Sequence, residues 1–260
     1  MNCFVCTGNN GKLAEFVECL GRTPENRIYG LRDYAQIGAS SYAEPEEPYN
    51  IFLANGFVKL NAAVNYTNAN KKLLAEKGVF PNWILVDDSG LCVSEMQDKP
   101  GVHSAYYGGL PRDDSRNRLA LRKTLGDLDG TEVRKEAYFI SFLFELNVCE
   151  QTGQFSESEI SVSDLAEQEK LLLSQVKQMK SQKLGFKSID MRQHNLRIHV
   201  GFCFGEISNK EQQLLPEAGH GYDSMFYPAV QPQLSFASID MATKNTWSHR
   251  AQALRSLAEK

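Results

Sequence analysis

The order of apolar and polar residues divides the chain into strand-like and helix-like segments. Nearly continuous apolar runs at 3–6, 83–86, 136–146 and 198–207 predict buried strands. Apolar residues at helical spacing predict helices after Lys12, from Ile51 onward, over 112–125 and at the C-terminus, with Ser248 as the N-cap of the last. The stretch between Asn65 and Phe80 is polar and lysine-rich, and its pattern also favours a helix.

The strand at 83–86 leads directly into two adjacent carboxylates, Asp87 and Asp88, and Ser89-Gly90 then predicts a turn. The carboxyl end of a strand is where an α/β sheet places its chemistry. Because adjacent strand residues point to opposite faces, one aspartate is expected to face a cleft while the other braces the loop or reaches a metal. An Asp-Asp-Ser-Gly run alone is more often a solvated turn, so other segments must decide its meaning.

The first strand leads into a glycine-rich turn, Thr7 to Lys12, and then a helix. This order is typical of a phosphate cradle, in which backbone N–H groups of the first helical turn point outward unpaired and Lys12 adds positive charge. Only two residues separate Gly8 from Gly11, which excludes a Walker A loop. Taken alone, a Gly-Asn-Asn-Gly segment is more often an ordinary turn.

Composition narrows the class of protein. The 260 residues are 42% hydrophobic and 23% charged, as in globular proteins. With 28 basic and 32 acidic residues the net charge is −4, so there is no basic field to bind nucleic acid. No apolar run predicts a membrane span or a signal peptide, so we expect a cytoplasmic protein without a membrane partner.

Cysteine usage gives no sign of a metal site. Six cysteines are scattered through apolar contexts. Cys3 and Cys6 form a C-x-x-C, but their spacing puts them on opposite faces of a strand, and no second pair accompanies them. We therefore expect reduced, buried thiols instead of a zinc site.

Four ordered segments together resemble the inosine/xanthosine triphosphate pyrophosphatases, the Ham1-like family. They are the Thr7–Lys12 turn with Glu15, the 87–91 strand end with the 100–109 loop, the 219–228 loop, and 241–250. The resemblance covers residues 1 to about 147 and 198 to 254. The chain departs from the family pattern at His103, Tyr106, His220 and Ser224.

The resemblance implies one domain over 1–260, with a mixed α/β sheet and two lobes around a central cleft, assembled as a homodimer. It implies hydrolysis of ITP, dITP or XTP, small nucleotide substrates, to the monophosphate and pyrophosphate. Mg²⁺ is the implied cofactor. The nearest alternative is a Maf-like pyrophosphatase of other modified nucleotides, and a more distant one is a nucleotide-binding or interaction module with impaired catalysis.

Roles for individual residues follow from the resemblance together with chemistry. Asp88 is expected to orient and deprotonate the water, with Asp87 assisting, and to share Mg²⁺ with Glu47. Glu47 is selected because it lies five residues before Phe52, and Glu44 and Glu46 remain alternatives. The expected phosphate-binding residues are Thr7, Gly8, Asn9, Lys12 and Ser89. The expected base-binding residues are His220, Gly221, Tyr222, Asp223, Lys244, His249 and Arg250.

Residues 150–198 are longer and more polar than the family pattern and constitute a family-atypical insertion. Leu165, Leu172, Val176 and Met179 lie near heptad spacing, which predicts an inserted amphipathic helix over roughly 163–184 with flexible flanks. Such a helix could cover the cleft, extend a dimer interface or bind another molecule. We favour the simplest interpretation, that it packs on its own domain.

Overall fold

The structure is a computed structural model that describes residues 2–21, 26–126, 131–148, 161–191, 195–215 and 220–258. Within these ranges it is a mixed α/β fold. The strands are β1 (Asn2–Val5), β2 (Arg27–Tyr29), β3 (Trp83–Val93), β4 (Lys99–Pro100), β5 (Arg134–Asn147), β6 (Leu184–Met191), β7 (Leu196–Ser208) and β8 (Phe226–Pro228). The helices are α1 (Asn10–Leu20), α2 (Leu31–Gln36), α3 (Phe52–Ala69), α4 (Lys71–Glu76), α5 (Asp114–Leu125), α6 (Val162–Gln178), α7 (Met241–Trp247) and α8 (His249–Ala258).

One sheet joins all these strands, in the order β2-β1-β3-β5-β7-β6, with β4 paired to β3 and β8 paired to β7. The β1 strand runs parallel to both β2 and β3, and the remaining pairs are antiparallel. No helix of the described ranges is long and apolar enough to cross a bilayer.

Side chains of the central strands alternate between two buried faces. On β5, Phe142 and Phe144 pack toward α3 and α6, whereas Leu143 packs toward α1 and α8. The same alternation on β3 puts Val86 on the α3 face and Leu85 on the α1 face. Asp88 therefore shares a face with Val86, and Asp87 shares a face with Leu85. The expectation that the two aspartates point to opposite sides is confirmed.

The predicted turn at Ser89-Gly90 is wrong, because β3 continues through both residues to Val93. The long neighbour β5 pairs with β3 over its whole length, from Trp83 opposite Asn147 to Val93 opposite Ala137. Gly90 is explained by close packing and not by a turn. A Cβ at this position would lie 2.2 Å from the carbonyl oxygen of Gly101.

The helix predicted over roughly 163–184 is present but shorter. α6 ends at Gln178, and the residues after Lys183 form β6, an edge strand along β7, where the prediction had a flexible flank. The predicted apolar face is correct in that Leu165, Leu172 and Val176 are buried in the cluster that contains α3. The segment before the helix, 149–160, lies outside the described residues.

Candidate active site

A cleft of about 470 Å³ opens across the middle of β3. It is bordered by the β1–α1 turn, the 42–47 loop, α3, the 102–106 segment, the 220–223 loop and the junction of α7 and α8. Every residue assigned to catalysis, substrate or metal from the sequence lines this cleft: Thr7, Gly8, Asn9, Lys12, Glu47, Asp87, Asp88, Ser89, His220, Gly221, Tyr222, Asp223, Lys244, His249 and Arg250. Of the two alternatives to Glu47, Glu44 also lines the cleft, whereas Glu46 is exposed to solvent elsewhere.

Asp87 is surrounded by donors. Its Oδ2 atom lies 2.7 Å from Lys12 Nζ and 3.2 Å from Arg250 Nη2. The hydroxyl of Ser89 donates to Oδ2 at 3.0 Å, and that of Ser141 donates to Oδ1 at 2.5 Å. Burial alone would raise the pKa of Asp87, but the charges of Arg250 and Lys12 outweigh it and hold the pKa well below its usual value. Asp87 is therefore an ionised anchor for two cations.

The same charge cluster extends to Glu15, which is buried at the bottom of the cleft. Arg250 also bonds Glu15, and Lys244 Nζ lies 3.1 Å from Glu15 Oε1 and 2.7 Å from Asp223 Oδ2. Burial would lower the pKa of Lys244, but Asp223 and Glu15 together raise it to about 12. Lys244 thus stays charged while buried. Glu15 belonged to a recognised sequence pattern but was given no role, because only the fold brings it to Lys244 and Arg250.

Asp88 has a sparser environment on the opposite face of β3. Its Oδ1 atom lies 2.7 Å from Lys59 Nζ, which is also 2.8 Å from Glu47 Oε2. The other oxygen, Asp88 Oδ2, is buried and has no hydrogen-bond partner among the described residues. Burial raises the pKa of Asp88, and the charge of Glu47 adds to this while Lys59 opposes it. Lys59 is a cleft residue to which the sequence gave no role, although Phe52, Asn55 and Lys59 match the F-x-x-N-A-x-x-K-A helix of the Ham1-like proteins.

These carboxylates fit a divalent cation. Glu47 and Asp88 already share one cation, the ammonium of Lys59, so their oxygens converge. Carboxylate oxygens are the ligands that Mg²⁺ prefers, and Asp88 Oδ1 and Glu47 Oε2, which face the same ammonium group, would hold it. No group of three acidic, histidine or cysteine side chains suited to a metal exists in the described ranges. Protein sites for Mg²⁺ often have few ligands, since phosphate oxygens and waters complete the coordination.

The β1–α1 turn differs from the predicted cradle in one respect. Asn9 is the N-cap of α1, and its side-chain oxygen accepts from Gly11 N at 2.9 Å and Lys12 N at 3.1 Å. The expectation that these N–H groups are unpaired is therefore wrong, because an asparagine at this position satisfies them itself. Gly11 allows close approach of the 220–223 loop: a Cβ there would lie 2.0 Å from His220 Nε2. The imidazole of His220 thus lies over the first turn of α1.

The 220–223 loop is fixed to the rest of the cleft by backbone contacts. Asp223 Oδ2 accepts from His220 N at 2.7 Å, and Tyr222 donates from its hydroxyl to Ser104 O at 2.8 Å. Asp114 Oδ2 accepts from Gly221 N at 2.9 Å, where φ is +57°, a conformation that favours glycine. The loop therefore places Asp223 beside Lys244 in a fixed geometry.

His249 is a buried, neutral imidazole at the start of α8. Its ring stacks on Phe139 with centroids 4.8 Å apart and planes 13° apart. Burial and, to a smaller extent, the neighbouring charge of Arg250 together lower the pKa of His249 to about 3. Its Nδ1 atom lacks a hydrogen-bond partner within the described part of the chain. Ser248 caps α8 as predicted, with its hydroxyl accepting from Ala251 N at 3.1 Å.

Comparison with known proteins identifies the family of the chain. The model of the Ham1 family matches residues 3–260. The chain belongs to the Ham1 family. A relative named dITP/XTP pyrophosphatase from Desulforamulus reducens is 27% identical over 259 residues, covering 100% of this chain and 94% of the relative. One of the same name from Shouchella clausii is 29% identical over 255 residues, covering 98% and 93%.

The family fold is also found among solved structures. The HAM1 protein from Coxiella burnetii superposes with a TM-score of 0.61 at 22% identity, covering 99% of this chain and 97% of the other. At that identity the likeness concerns the fold, which is the mixed α/β fold expected from the sequence. The cleft across β3 is therefore the candidate active site of this Ham1 chain.

Proposed function

We propose that this Ham1 chain hydrolyses the non-canonical purine nucleoside triphosphates ITP, dITP and XTP to the monophosphate and pyrophosphate. The observation that carries the proposal is the unequal pair Asp87 and Asp88 in one cleft: a carboxylate saturated by cations next to one with a free oxygen. The names of the relatives, at 27% and 29% identity, support this choice of substrate class.

Cleavage between the α- and β-phosphorus requires a water aligned on the α-phosphorus, neutralisation of the polyphosphate and donors for the leaving pyrophosphate. Lys12 lines the cleft 2.7 Å from Asp87, and its ammonium group can donate to phosphate oxygens; burial lowers its pKa, and the charge of Asp87 opposes this. The hydroxyl of Thr7 and the Asn9 side-chain amide at the start of α1 offer further donors, whereas the hydroxyl of Ser89 donates to Asp87. Mg²⁺ held by Glu47 and Asp88 would neutralise phosphate charge and acidify a water nearby.

Asp88 is the residue best suited to take the proton of the attacking water. Its Oδ2 is free to accept, and a pKa raised by burial makes the carboxylate a stronger base than an exposed one. Asp87 is poorly suited to this task because its pKa is depressed and its oxygens are already bonded. We therefore narrow its assisting role to holding Lys12 and Arg250 in place.

We assign recognition of the purine base to the side of the cleft formed by Lys244, His249 and Arg250, away from Asp88. A site that donates to a 6-oxo group is satisfied by hypoxanthine or xanthine and leaves a donor unpaired with adenine, which can be worth about 10⁴–10⁵ in rate. Lys244 is a permanent donor there, and neutral His249 has one nitrogen without a partner in the described ranges. Arg250 lies between Glu15 and Asp87 and so connects this side with the phosphate side.

The test is pyrophosphate release from the purified protein with ITP, XTP, GTP and ATP in parallel, each with Mg²⁺ and with EDTA. We expect Mg²⁺-dependent release with ITP and XTP far above GTP and ATP. Equal rates with all four purines would contradict the base selection. No release from any of them would contradict the proposed activity and favour a binding module.

A homodimer, which the family resemblance implies, and a cytoplasmic location, which is the expectation from the sequence, complete the proposal. Sedimentation equilibrium should give twice the 29.2 kDa mass of the chain. A single species at the monomer mass would remove the dimer from the account.

A further inference from the structure

The start of α3 is capped by a residue from the inserted helix. The residue at the N-cap position of α3 is Ile51, whose side chain offers no acceptor. Instead, the carboxylate of Glu169 in α6 accepts from Phe52 N at 3.1 Å and from Leu53 N at 2.7 Å. The two partners are separated by 117 and 116 residues along the chain. A helix distant in sequence thus supplies the cap of a cleft-forming helix.

This cap meets a need that nothing local fulfils. The first N–H groups of a helix have no intrahelical acceptor, and leaving them unpaired inside a protein is costly. Phe52, Leu53 and Glu169 are all buried. Burial raises the pKa of Glu169 to about 7, against the effect of the two backbone N–H groups, which favour the ionised form. The carboxylate is held in the interior by the helix terminus that it caps.

The capped helix in turn positions the Asp88 side of the cleft. Lys59 lies seven residues, about two turns, after Phe52 on α3 and bridges Asp88 and Glu47. Asn55, in the first turn of α3, accepts from Tyr49 N at 3.0 Å and donates to Tyr49 O at 2.9 Å. This pair fixes the end of the loop that carries Glu47. The placement of Lys59, which contacts Asp88, and of Glu47, which shares Lys59 with it, therefore depends on where α3 begins.

We propose that Glu169 is a positioning residue for catalysis: by capping α3 from the inserted helix, it sets the placement of Lys59 and Glu47 around Asp88. The inserted helix does not line the cleft, so its contribution passes through α3. The effect of Glu169 on catalysis rests on the proposed function of the cleft. The capping itself is independent of any activity.

The test compares Glu169→Ala with Val176→Ala, a matched control on the same buried face of α6. Val176 is fully buried and lies two turns further along, so its truncation weakens the packing of α6 without removing the cap. Glu169→Gln, which keeps one acceptor oxygen, is the conservative variant. Each protein is measured by amide hydrogen exchange over residues 47–60 and by steady-state pyrophosphate release from ITP.

We expect Glu169→Ala to accelerate exchange at Phe52 and Leu53 and to lower kcat for ITP by roughly 10- to 100-fold, because small displacements of catalytic groups are that costly. KM should change little, since the base-binding side of the cleft is not on α3. Glu169→Gln should give intermediate values. Val176→Ala should leave exchange at 47–60 and kcat close to wild type, although its thermal stability falls.

Two results would overturn the proposal: unchanged exchange at Phe52 and Leu53 in Glu169→Ala, or equal losses of kcat in Glu169→Ala and Val176→Ala. Failure of the proposed function is recognised separately, as a wild-type protein that releases no pyrophosphate from ITP. In that case the exchange data decide alone: acceleration reaching Lys59 supports positioning through α3, and its absence contradicts it.

Discussion

The two faces of β3 place the carboxylates of Asp87 and Asp88 in opposite electrostatic environments. On the face toward α1 and α8, Asp87 contacts Lys12 and Arg250 and accepts from two hydroxyls. On the face toward α3, Asp88 contacts Lys59 alone and keeps one oxygen without a partner among the described residues. The pKa of Asp87 is consequently lowered and that of Asp88 raised.

The difference shows how neighbouring residues of one strand acquire separate roles. Because adjacent residues of a strand point to opposite faces, the two aspartates pack against different helices. Those on the Asp87 face supply two cations, and α3 on the Asp88 face supplies one. Two carboxylates whose pKa values are driven apart by their surroundings are the usual basis for distinct catalytic roles. Asp87 acts as a fixed anion that organises cations, whereas Asp88 can exchange a proton.

The largest expected effect comes from Asp88→Asn. An amide cannot act as a general base, so kcat for ITP should fall by roughly 10²–10⁴-fold. Binding of ITP, measured by calorimetry, should persist, because Lys12 and the base-binding residues are untouched. Full activity in this variant would remove Asp88 from the role of base.

Asp87→Asn should affect stability more than any other change at this site. The substitution leaves Lys12 and Arg250 near a neutral group in the interior, and breaking such a pair costs about 3–5 kcal/mol. Urea unfolding monitors this loss. The stabilisation from Asp87 is present above its unfolded-state pKa, about 3.9, and disappears as pH falls through the lower folded value. The variant should therefore lose part of the acid sensitivity of the wild type, and a stability equal to wild type would contradict the anchor role.

Lys59→Met should shift the pH dependence of activity. Lys59 is the cation that opposes the rise in the pKa of Asp88, so its removal should raise that pKa further. The acid limb of kcat/KM should then move to higher pH, as measured with ITP across a buffer series. A limb that stays in place would indicate that Asp88 does not govern it.

Ser141→Ala should have the smallest effect. It removes one hydrogen bond to the charged Asp87, worth about 1.5–3 kcal/mol of unfolding free energy. The pH profile of activity should remain that of the wild type, because Asp88 lies on the other face. A shifted profile would show that the two faces are coupled and would weaken the separation proposed above.

Sequence patterns were sufficient for the opposed orientation of Asp87 and Asp88 and for the segments that meet in the cleft. The alternation of side chains along a strand depends only on local geometry. The segments that line the cleft could be named because each contains its functional residues within a short stretch of sequence. The turn at Ser89-Gly90 was wrong because a glycine signals a turn and a close backbone approach equally well. Here the approach of Gly101 decided the matter.

Contacts between distant segments could not be predicted in this way. Ser141 carries no local signal of its role, because it acquires that role from the pairing of β5 with β3. Lys59 matched a helix pattern, but only the packing of α3 against β3 brings it to Asp88. The capping of α3 by Glu169 is a similar case, since a helix without a local cap gives no indication of its distant partner. The edge strand β6 was missed because its pairing with β7, and not its own pattern, defines it.

The central claim is that Asp87 and Asp88 have opposite pKa shifts, and a carbon-13 NMR titration of the aspartate carboxyl groups tests it most directly. Asp87→Asn and Asp88→Asn assign the two resonances. We predict that the Asp87 signal remains that of an ionised carboxylate below the usual titration range, while the Asp88 signal titrates above it. An Asp87 carboxyl group that titrates at or above the pH at which Asp88 does would contradict the account.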